Sequence, residues 1–185
     1  MENEKLFNES IILIGPSGAG KSTVGKKLSM ITHMPQLCLD IIANRDRMTG
    51  FMKQFKNSDE YNYYMIKTQL EIAEKNGIPG IVDFGAGHSV YDDENIFNNV
   101  KKLLEKFKNI VLLLPCYDLE KSLQILARRS TGDYSPNRKF ITSPCNRELA
   151  TITVYENARN PDEIVSEILK KIERDNINKD ELDGR

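Results

Sequence analysis

The chain has 185 residues, a formal net charge of -1 and 39% hydrophobic residues, which suits a single soluble domain with a core of its own. The balanced charge argues against a protein that binds nucleic acid or a membrane surface. There is no apolar run of membrane-span length and no signal pattern at the N-terminus, and the three cysteines lack metal-ligand spacing. We therefore expect a reduced, cytoplasmic protein, either a monomer or a small homo-oligomer.

The first predicted strand, Ser10–Ile14, leads directly into a glycine-rich segment at residues 15–22, and a helix is predicted over Lys21–Thr32. The segment reads GPSGAGKS and fits the pattern G-x-x-x-x-G-K-[ST] at every fixed position, in the strand-to-helix context that the pattern requires. The glycines let the backbone approach a phosphate chain, and the helix N-terminus attracts its charge. The residues predicted to bind a nucleotide here are Gly15, Ser17, Gly18, Ala19, Gly20, Lys21, Ser22 and Thr23.

Two residues of this segment carry specific chemistry. Lys21 is predicted to neutralise charge on the β- and γ-phosphates, and the Ser22 hydroxyl is predicted to bind Mg²⁺. A chance match of the four fixed positions is expected in about one per cent of chains of this length, so a glycine-rich turn without function is a poor explanation.

The next two predicted strands both end at an aspartate. Gln36–Leu39 precedes Asp40, and Ile81-Val82 runs into Asp83. Ligands of parallel sheets bind at the carboxyl ends of the strands, so both carboxylates are expected near the phosphate loop. Asp40 and Asp83 are each candidates to hold a metal-bound water or to orient and deprotonate an acceptor, while a turn cap is the alternative explanation for Asp83.

The rest of the chain continues the alternation of strand and helix. Helices are predicted over Asp59–Asn76, Asp93–Lys108, Asp118–Arg129 and from Asn160 onward, with strands at Ile110–Leu114 and Ile152–Tyr155. This order predicts an α/β protein with a parallel five-stranded sheet covered by helices on both faces, the three-layer fold of P-loop NTPases. We expect one domain over residues 1–175 and a frayed polar tail over residues 176–185.

The segment Ser130–Cys145 does not fit the alternation. It holds Gly132, Pro136 and Pro144 together with the basic pair Arg138-Lys139, and it is too long for an ordinary connection. One interpretation is a mobile lid, residues 130–145, that closes over a nucleotide. The other is a solvated surface loop whose basic residues have no function.

Taken together, these residues resemble the shikimate kinase group of small P-loop kinases over roughly Ile11 to Ile172. The resemblance implies that Asp40 is the aspartate associated with Mg²⁺ and that Asp83-Phe84-Gly85-Ala86-Gly87 replaces a triple-glycine loop that faces the acceptor. It also implies that a member of Arg128-Arg129 packs on adenine and that Arg138 is a lid arginine reaching the phosphates. Arg159-Asn160-Pro161 resembles the adenine-side loop.

The acceptor half departs from the family pattern at three positions. The second aspartate of the family's D-x-D falls on Ile42, and two arginines that hold the carboxylate of shikimate fall near Tyr63-Tyr64 and near Thr142. A carboxylate loses its strongest contacts without bidentate arginines. The acceptor is therefore expected to differ from shikimate. The residues expected to bind it are Tyr64 and those of the loop after the third strand, namely Asp83, Gly85, Ala86 and Gly87.

The predicted function is ATP-dependent phosphoryl transfer to a small acceptor, most simply a hydroxyl, with Mg²⁺ as the cofactor. The predicted catalytic residues are Lys21, Asp40 and Arg138, with Ser22 and Asp40 at the metal and with Arg129 and Arg159 added to the nucleotide site. The alternatives are an authentic shikimate kinase with a shifted pocket and a regulator that binds ATP without catalysis. The tyrosines could instead serve core packing, and His88 is expected to be a solvent-facing loop residue.

Overall fold

The five strands form one parallel sheet in a computed structural model of the protein, which describes residues 8–129 and 135–183. The strand order is β2-β3-β1-β4-β5, so the phosphate-loop strand lies in the centre. All four strand pairs are parallel, which confirms the predicted sheet. The strands are β1 (Ile11–Ile14), β2 (Gln36–Cys38), β3 (Ile81–Asp83), β4 (Asn109–Leu114) and β5 (Ile152–Tyr155).

Eight α-helices and two short 3₁₀ turns join these strands in the described part of the chain. The helices are α1 (Lys21–Thr32), α2 (Leu39–Met48), α3 (Ser58–Asn76), α4 (Glu94–Leu104), α5 (Leu119–Arg129), α6 (Ser135–Thr142), α7 (Pro144–Leu149) and α8 (Pro161–Asp183). The 3₁₀ turns are Phe51–Gln54 and Ala86–Ser89.

Helices cover both faces of the sheet, because successive strand residues point to opposite sides. Ile12 and Ile14 of β1 belong to the core cluster that includes residues of α2, α3 and α4. Ile11 and Leu13 belong to the other cluster, with residues of α1 and α8. Burial on both faces explains why β1 is apolar throughout, and removing one such side chain to alanine would cost about 2–5 kcal/mol of stability.

Predicted helix ends are confirmed where the sequence carries a cap. The Asn160 side chain accepts from the Glu163 N–H, and the Glu163 carboxylate accepts from the Asn160 N–H, each at 3.0 Å. This reciprocal pair is a capping box. Gly77 ends α3 in the left-handed conformation, with φ of 64°.

Two predicted boundaries are wrong. Strand β2 ends at Cys38 and α2 begins at Leu39, so Asp40 lies in the first turn of a helix rather than at a strand end. Helix α4 ends at Leu104 instead of Lys108, and the chain then turns so that Phe107 is buried. Helix α8 continues to Asp183, and residues 162–183 contain no glycine or proline that would end it earlier.

The predicted lid is largely helical. Residues 130–134 lie outside the described residues, but α6 and α7 occupy nearly all of residues 135–149. The prolines that suggested a loop stand near helix starts, where a missing N–H costs nothing; Pro144 follows the Ser143 N-cap. Among the helices that the structure describes, none is long and apolar enough to cross a membrane.

Candidate active site

The glycine-rich segment forms a tight loop between β1 and α1. Gly15, Gly18 and Gly20 all have positive φ values, of 134°, 80° and 73°. A side chain on Gly15 would overlap the backbone carbonyl of Leu113 in β4, so this position needs glycine for space as well as for conformation. The loop therefore packs directly on the sheet and leaves its helix end open to a ligand.

Lys21 is buried under this loop. Its Nζ donates hydrogen bonds to the carbonyl oxygens of Gly15 and Pro16, each at 3.0 Å, and only 6% of the residue is exposed. Burial lowers the pKa of Lys21 below its ordinary value, while the carboxylates of Asp83 and Asp40 act in the opposite direction. A bound phosphate chain would add negative charge beside this ammonium group and favour its charged form.

Asp83 is the buried carboxylate of the site. It ends β3 opposite Leu13 of β1, is 2% exposed, and lies beside the side chains of Ser22 and Cys38. Burial raises the pKa of its carboxyl group, although the Ser22 and Lys21 side chains act to lower it. Its Oδ2 atom has no hydrogen-bond partner among the described residues.

Asp40 approaches from α2 and meets the loop that comes after β3. A Cβ atom built on Gly85 would overlap Asp40 Oδ1 and would lie 2.6 Å from His88 Nδ1. Gly85 is thus the position where the Asp40 carboxylate and the His88 imidazole come together. The Gly87 carbonyl accepts from Asn62 Nδ2 at 3.1 Å, which anchors this loop on α3.

The expectation that His88 faces solvent is wrong. His88 is 4% exposed, its Nδ1 atom has no partner among the described residues, and burial lowers its pKa to about 4. The 3₁₀ turn Ala86–Ser89 directs the side chain inward, against the ring of Phe84. No sequence pattern indicates this, because a histidine after a glycine-rich loop is compatible with either orientation.

Arg129 and Glu156 hold the other side of the phosphate loop. Arg129 Nη1 donates to the Gly18 carbonyl at 3.2 Å and to Glu156 Oε2 at 2.6 Å, and Glu156 is 5% exposed. Arg159 donates to the Glu156 and Tyr155 carbonyls and pairs with Glu167 at 2.6 Å. No local motif marks Glu156 in the sequence, because its role depends on β5 placing it beside Gly20.

These groups surround a cleft of about 570 Å³. It is lined by most of the predicted nucleotide residues together with Asp40 and Pro161, and by Val24, Glu156 and Ile164, which were not predicted. The predicted residues on the cleft wall are Ser17, Gly18, Ala19, Gly20, Lys21, Ser22, Thr23, Asp40, Arg129 and Arg159.

Five predicted site residues do not line the cleft although they belong to the phosphate loop or to the segment after β3: Gly15, Asp83, Gly85, Ala86 and Gly87. Two more lie in other parts of the fold. Arg138 is on α6, where its Nη2 pairs with Glu120 at 2.8 Å and its side chain is 56% exposed. Tyr64 packs against Phe51 and Phe55 and borders a separate cavity of about 280 Å³. Neither lines the cleft, so a role for them in transfer or acceptor binding stays a prediction.

The oxygen groups beside the loop suit Mg²⁺. No cluster of three or more His, Cys, Asp or Glu side chains with metal-binding geometry occurs among the described residues. Mg²⁺ does not need one, since it binds through one or two carboxylates, substrate phosphates and water. Ser22, Asp40 and Asp83 supply that kind of ligand, and the unpartnered Oδ2 of Asp83 is an oxygen atom still free to accept.

Comparison with known proteins gives consistent results. The shikimate kinase family model matches residues 17–173. The shikimate kinase of Enterococcus faecalis is 27% identical over 178 residues, a match that covers 89% of this chain and 98% of that protein.

Two solved structures show the same fold. The shikimate kinase of Acinetobacter baumannii in complex with shikimate aligns with a TM-score of 0.64 at 19% identity, over 95% of this chain and 98% of the other. A gluconokinase from Sinorhizobium meliloti aligns with a TM-score of 0.63, also at 19% identity, over 94% and 98% of the two chains. With the family model matching most of its length, the chain belongs to the shikimate kinase family and is an ATP-dependent kinase.

Proposed function

We propose that this kinase transfers the γ-phosphate of ATP to a hydroxyl group of a small molecule other than shikimate. One observation carries the proposal: the phosphate loop, Lys21 and Ser22 share a cleft with Asp40, while the acceptor-side positions offer no arginine pair. The gluconokinase with the same fold supports an acceptor other than shikimate.

The proposed mechanism relies on positioning and charge, which is what phosphoryl transfer demands of a protein. The loop amides and Lys21 hold the phosphates and neutralise the charge that develops on the transferred group. The acceptor oxygen forms a bond to the γ-phosphorus, the bond to the bridging oxygen breaks, and ADP leaves. Asp40 orients the acceptor hydroxyl and takes its proton.

Mg²⁺ would be held by the Ser22 hydroxyl with the carboxylates of Asp40 and Asp83. When bound there, such an ion would supply positive charge that offsets the charge of the phosphates. Asp83 is well suited to hold the ion together with Ser22 because its carboxylate lies beside that side chain. Arg129 and Arg159 line the remaining wall of the cleft, where the base of the nucleotide would lie.

A coupled assay of ADP release tests the proposal. The purified protein is incubated with Mg²⁺-ATP and a panel of acceptors: shikimate, sugar acids, nucleosides and aminocyclitols, with Lys21→Ala as the blank. We expect one class of acceptor other than shikimate to raise the rate of ADP release above the rate measured without an acceptor. Efficient release with shikimate would identify an authentic shikimate kinase. Tight binding of an ATP analogue without release for any acceptor would instead favour a nucleotide-binding regulator.

A further inference from the structure

The tip of the phosphate loop is a tight turn. The Ala19 N–H donates to the Pro16 carbonyl at 3.3 Å, so Ser17 and Gly18 stand at the corner of the turn. A turn of this kind leaves the polar backbone groups of its corner residues pointing outward, where they need partners from elsewhere.

Two side chains from neighbouring helices supply those partners. Asn137 of α6 accepts from the Ser17 N–H through its Oδ1 atom at 3.1 Å. Arg129 of α5 donates to the Gly18 carbonyl at 3.2 Å. The loop tip is therefore held from both sides, once at an N–H group and once at a carbonyl.

Asn137 is placed differently from the two basic residues next to it on α6. Only 4% of Asn137 is exposed. Arg138 and Lys139 point outward and pair with Glu120 and Asp92, at 2.8 Å and 2.5 Å, with about half of each side chain exposed. Hence α6 contacts the nucleotide loop through its asparagine and not through its cations.

The chemistry of asparagine suits this position. A backbone N–H needs an acceptor, and both an amide oxygen and a carboxylate could serve. A carboxylate would also bring a negative charge beside bound phosphates, which a neutral amide avoids. Helix α6 is itself held in place, because the Asn146 and Arg147 side chains of α7 donate to the carbonyls of Phe140 and Ile141.

We infer that Asn137 is a positioning residue for the phosphate loop, which fixes the Ser17 amide so that the loop is pre-organised for the nucleotide. The inference rests on the proposed nucleotide site and extends it to α6. Pre-organisation lowers the ordering cost of binding, so losing one such hydrogen bond is expected to weaken nucleotide binding about five-fold.

The test measures the contact and its consequence separately. Asn137→Leu keeps the volume and removes the oxygen, Asn137→Ala removes both, and Asn137→Asp keeps an oxygen acceptor. Lys139→Ala, on the same helix but exposed, is the matched control. The Ser17 amide is followed by its ¹⁵N–¹H chemical shift and its hydrogen exchange, and binding of Mg²⁺ with a non-hydrolysable ATP analogue is measured by calorimetry.

We expect Asn137→Leu to speed exchange of the Ser17 amide and to weaken the analogue about five-fold, with Asn137→Asp restoring the slow exchange. Unchanged exchange and affinity in folded Asn137→Leu or Asn137→Ala protein would overturn the inference. So would tighter binding, which would mean that Asn137 competes with the phosphates. If the unmodified protein fails to bind the analogue, the proposed function fails instead, while the exchange data still report on the contact.

Discussion

At the scale of single residues, the cleft places a buried cation next to buried acidic groups. Lys21 and Asp83 are both nearly inaccessible, and desolvation opposes the charged form of each. Perturbed titratable groups of this kind gather where a protein does chemistry. Bound phosphates would place negative charge near Lys21, and a metal ion would place positive charge near Asp83, so both residues would be favoured in their charged forms.

Lys21→Ala is expected to lower turnover about 10²–10³-fold, because one fixed positive group opposite developing phosphate charge is lost. The fold should persist, since the same change removes a buried ammonium group. Turnover comes from the coupled assay and folding from a thermal melt. Lys26→Ala, an exposed lysine on the same helix, should have near-normal turnover. Normal turnover in folded Lys21→Ala protein would refute the assignment of the phosphate loop.

The two aspartates should be separable by their Mg²⁺ dependence. Asp83 contacts Ser22, so Asp83→Asn is expected to raise the Mg²⁺ concentration for half-maximal turnover about 10–100-fold. Asp40→Asn should also raise this concentration, and in addition it should lower the maximal rate about 10²–10⁴-fold at saturating Mg²⁺, as expected for loss of a general base. Titrating both variants with Mg²⁺ at fixed ATP decides the matter. If the two patterns are exchanged, the roles of the two carboxylates are reversed.

His88 should make the stability of the fold depend on pH. Its pKa falls from the ordinary 6.5 to about 4 on folding because burial disfavours the imidazolium. Between pH 4 and pH 6.5 the unfolded chain binds more protons at this residue than the folded protein does. The free energy of unfolding is therefore highest above pH 6.5 and decreases as the pH falls toward 4. This difference in pKa corresponds to a change of about 3 kcal/mol in the free energy of unfolding.

Urea unfolding at several pH values measures this effect. His88→Asn should flatten the loss of stability between pH 6.5 and pH 4. His33→Asn is the matched control, since His33 is exposed at the end of α1. Its backbone has the left-handed conformation, which asparagine tolerates. An unchanged pH profile in His88→Asn would show that His88 does not titrate as its burial implies.

At the scale of elements, structure could be predicted from the sequence wherever a local pattern was strong. The phosphate loop, α1, the capping box of α8 and the left-handed end of α3 each depend on residues a few positions apart. Helix α2 was missed because it begins directly after a strand, without a capping side chain to mark its start. The inward turn of His88 depends on contacts between β3, α2 and α3, which no local pattern records.

Nucleotide binding is expected to protect α6 from proteolysis if this helix is part of a lid. Trypsin cleaves after basic residues, and the side chains of Arg138 and Lys139 are exposed. We expect a non-hydrolysable ATP analogue to slow cleavage at these two sites several-fold, as closure makes the segment less accessible. Cleavage after exposed Lys53, located by mass spectrometry, is the internal control. Equal rates at all sites with and without the analogue would leave α6 a static surface helix.

At the scale of the whole molecule, the sheet and its layers result from alternating apolar strands and amphipathic helices, so they could be predicted. The identity of the acceptor could not be predicted from the sequence. The departures from the family pattern that we expect at Ile42, Tyr64 and Thr142 do not indicate which side chains bind the acceptor instead. That answer depends on how α2, α3 and the loop after β3 come together, which is set by tertiary packing.

Shikimate is expected to be a poor acceptor, because Tyr64 and Thr142 occupy the positions where we expect the arginines of a carboxylate clamp. Three arginines could in principle have moved into that role. Arg45 is engaged with Asp46 at 3.2 Å, Arg47 with Asn44 at 3.4 Å and Arg147 with the Ile141 carbonyl at 3.0 Å.

Each lost charge-assisted contact costs about 1.5–3 kcal/mol, so two of them lower kcat/KM by about 10²–10⁴-fold. The measurement compares shikimate with its methyl ester, which keeps the ring hydroxyls and removes the charge. An enzyme without a carboxylate clamp should use both poorly and to a similar extent. Efficient phosphorylation of shikimate with a strong preference over the ester would show that a clamp exists, formed by residues that change position when the acceptor binds.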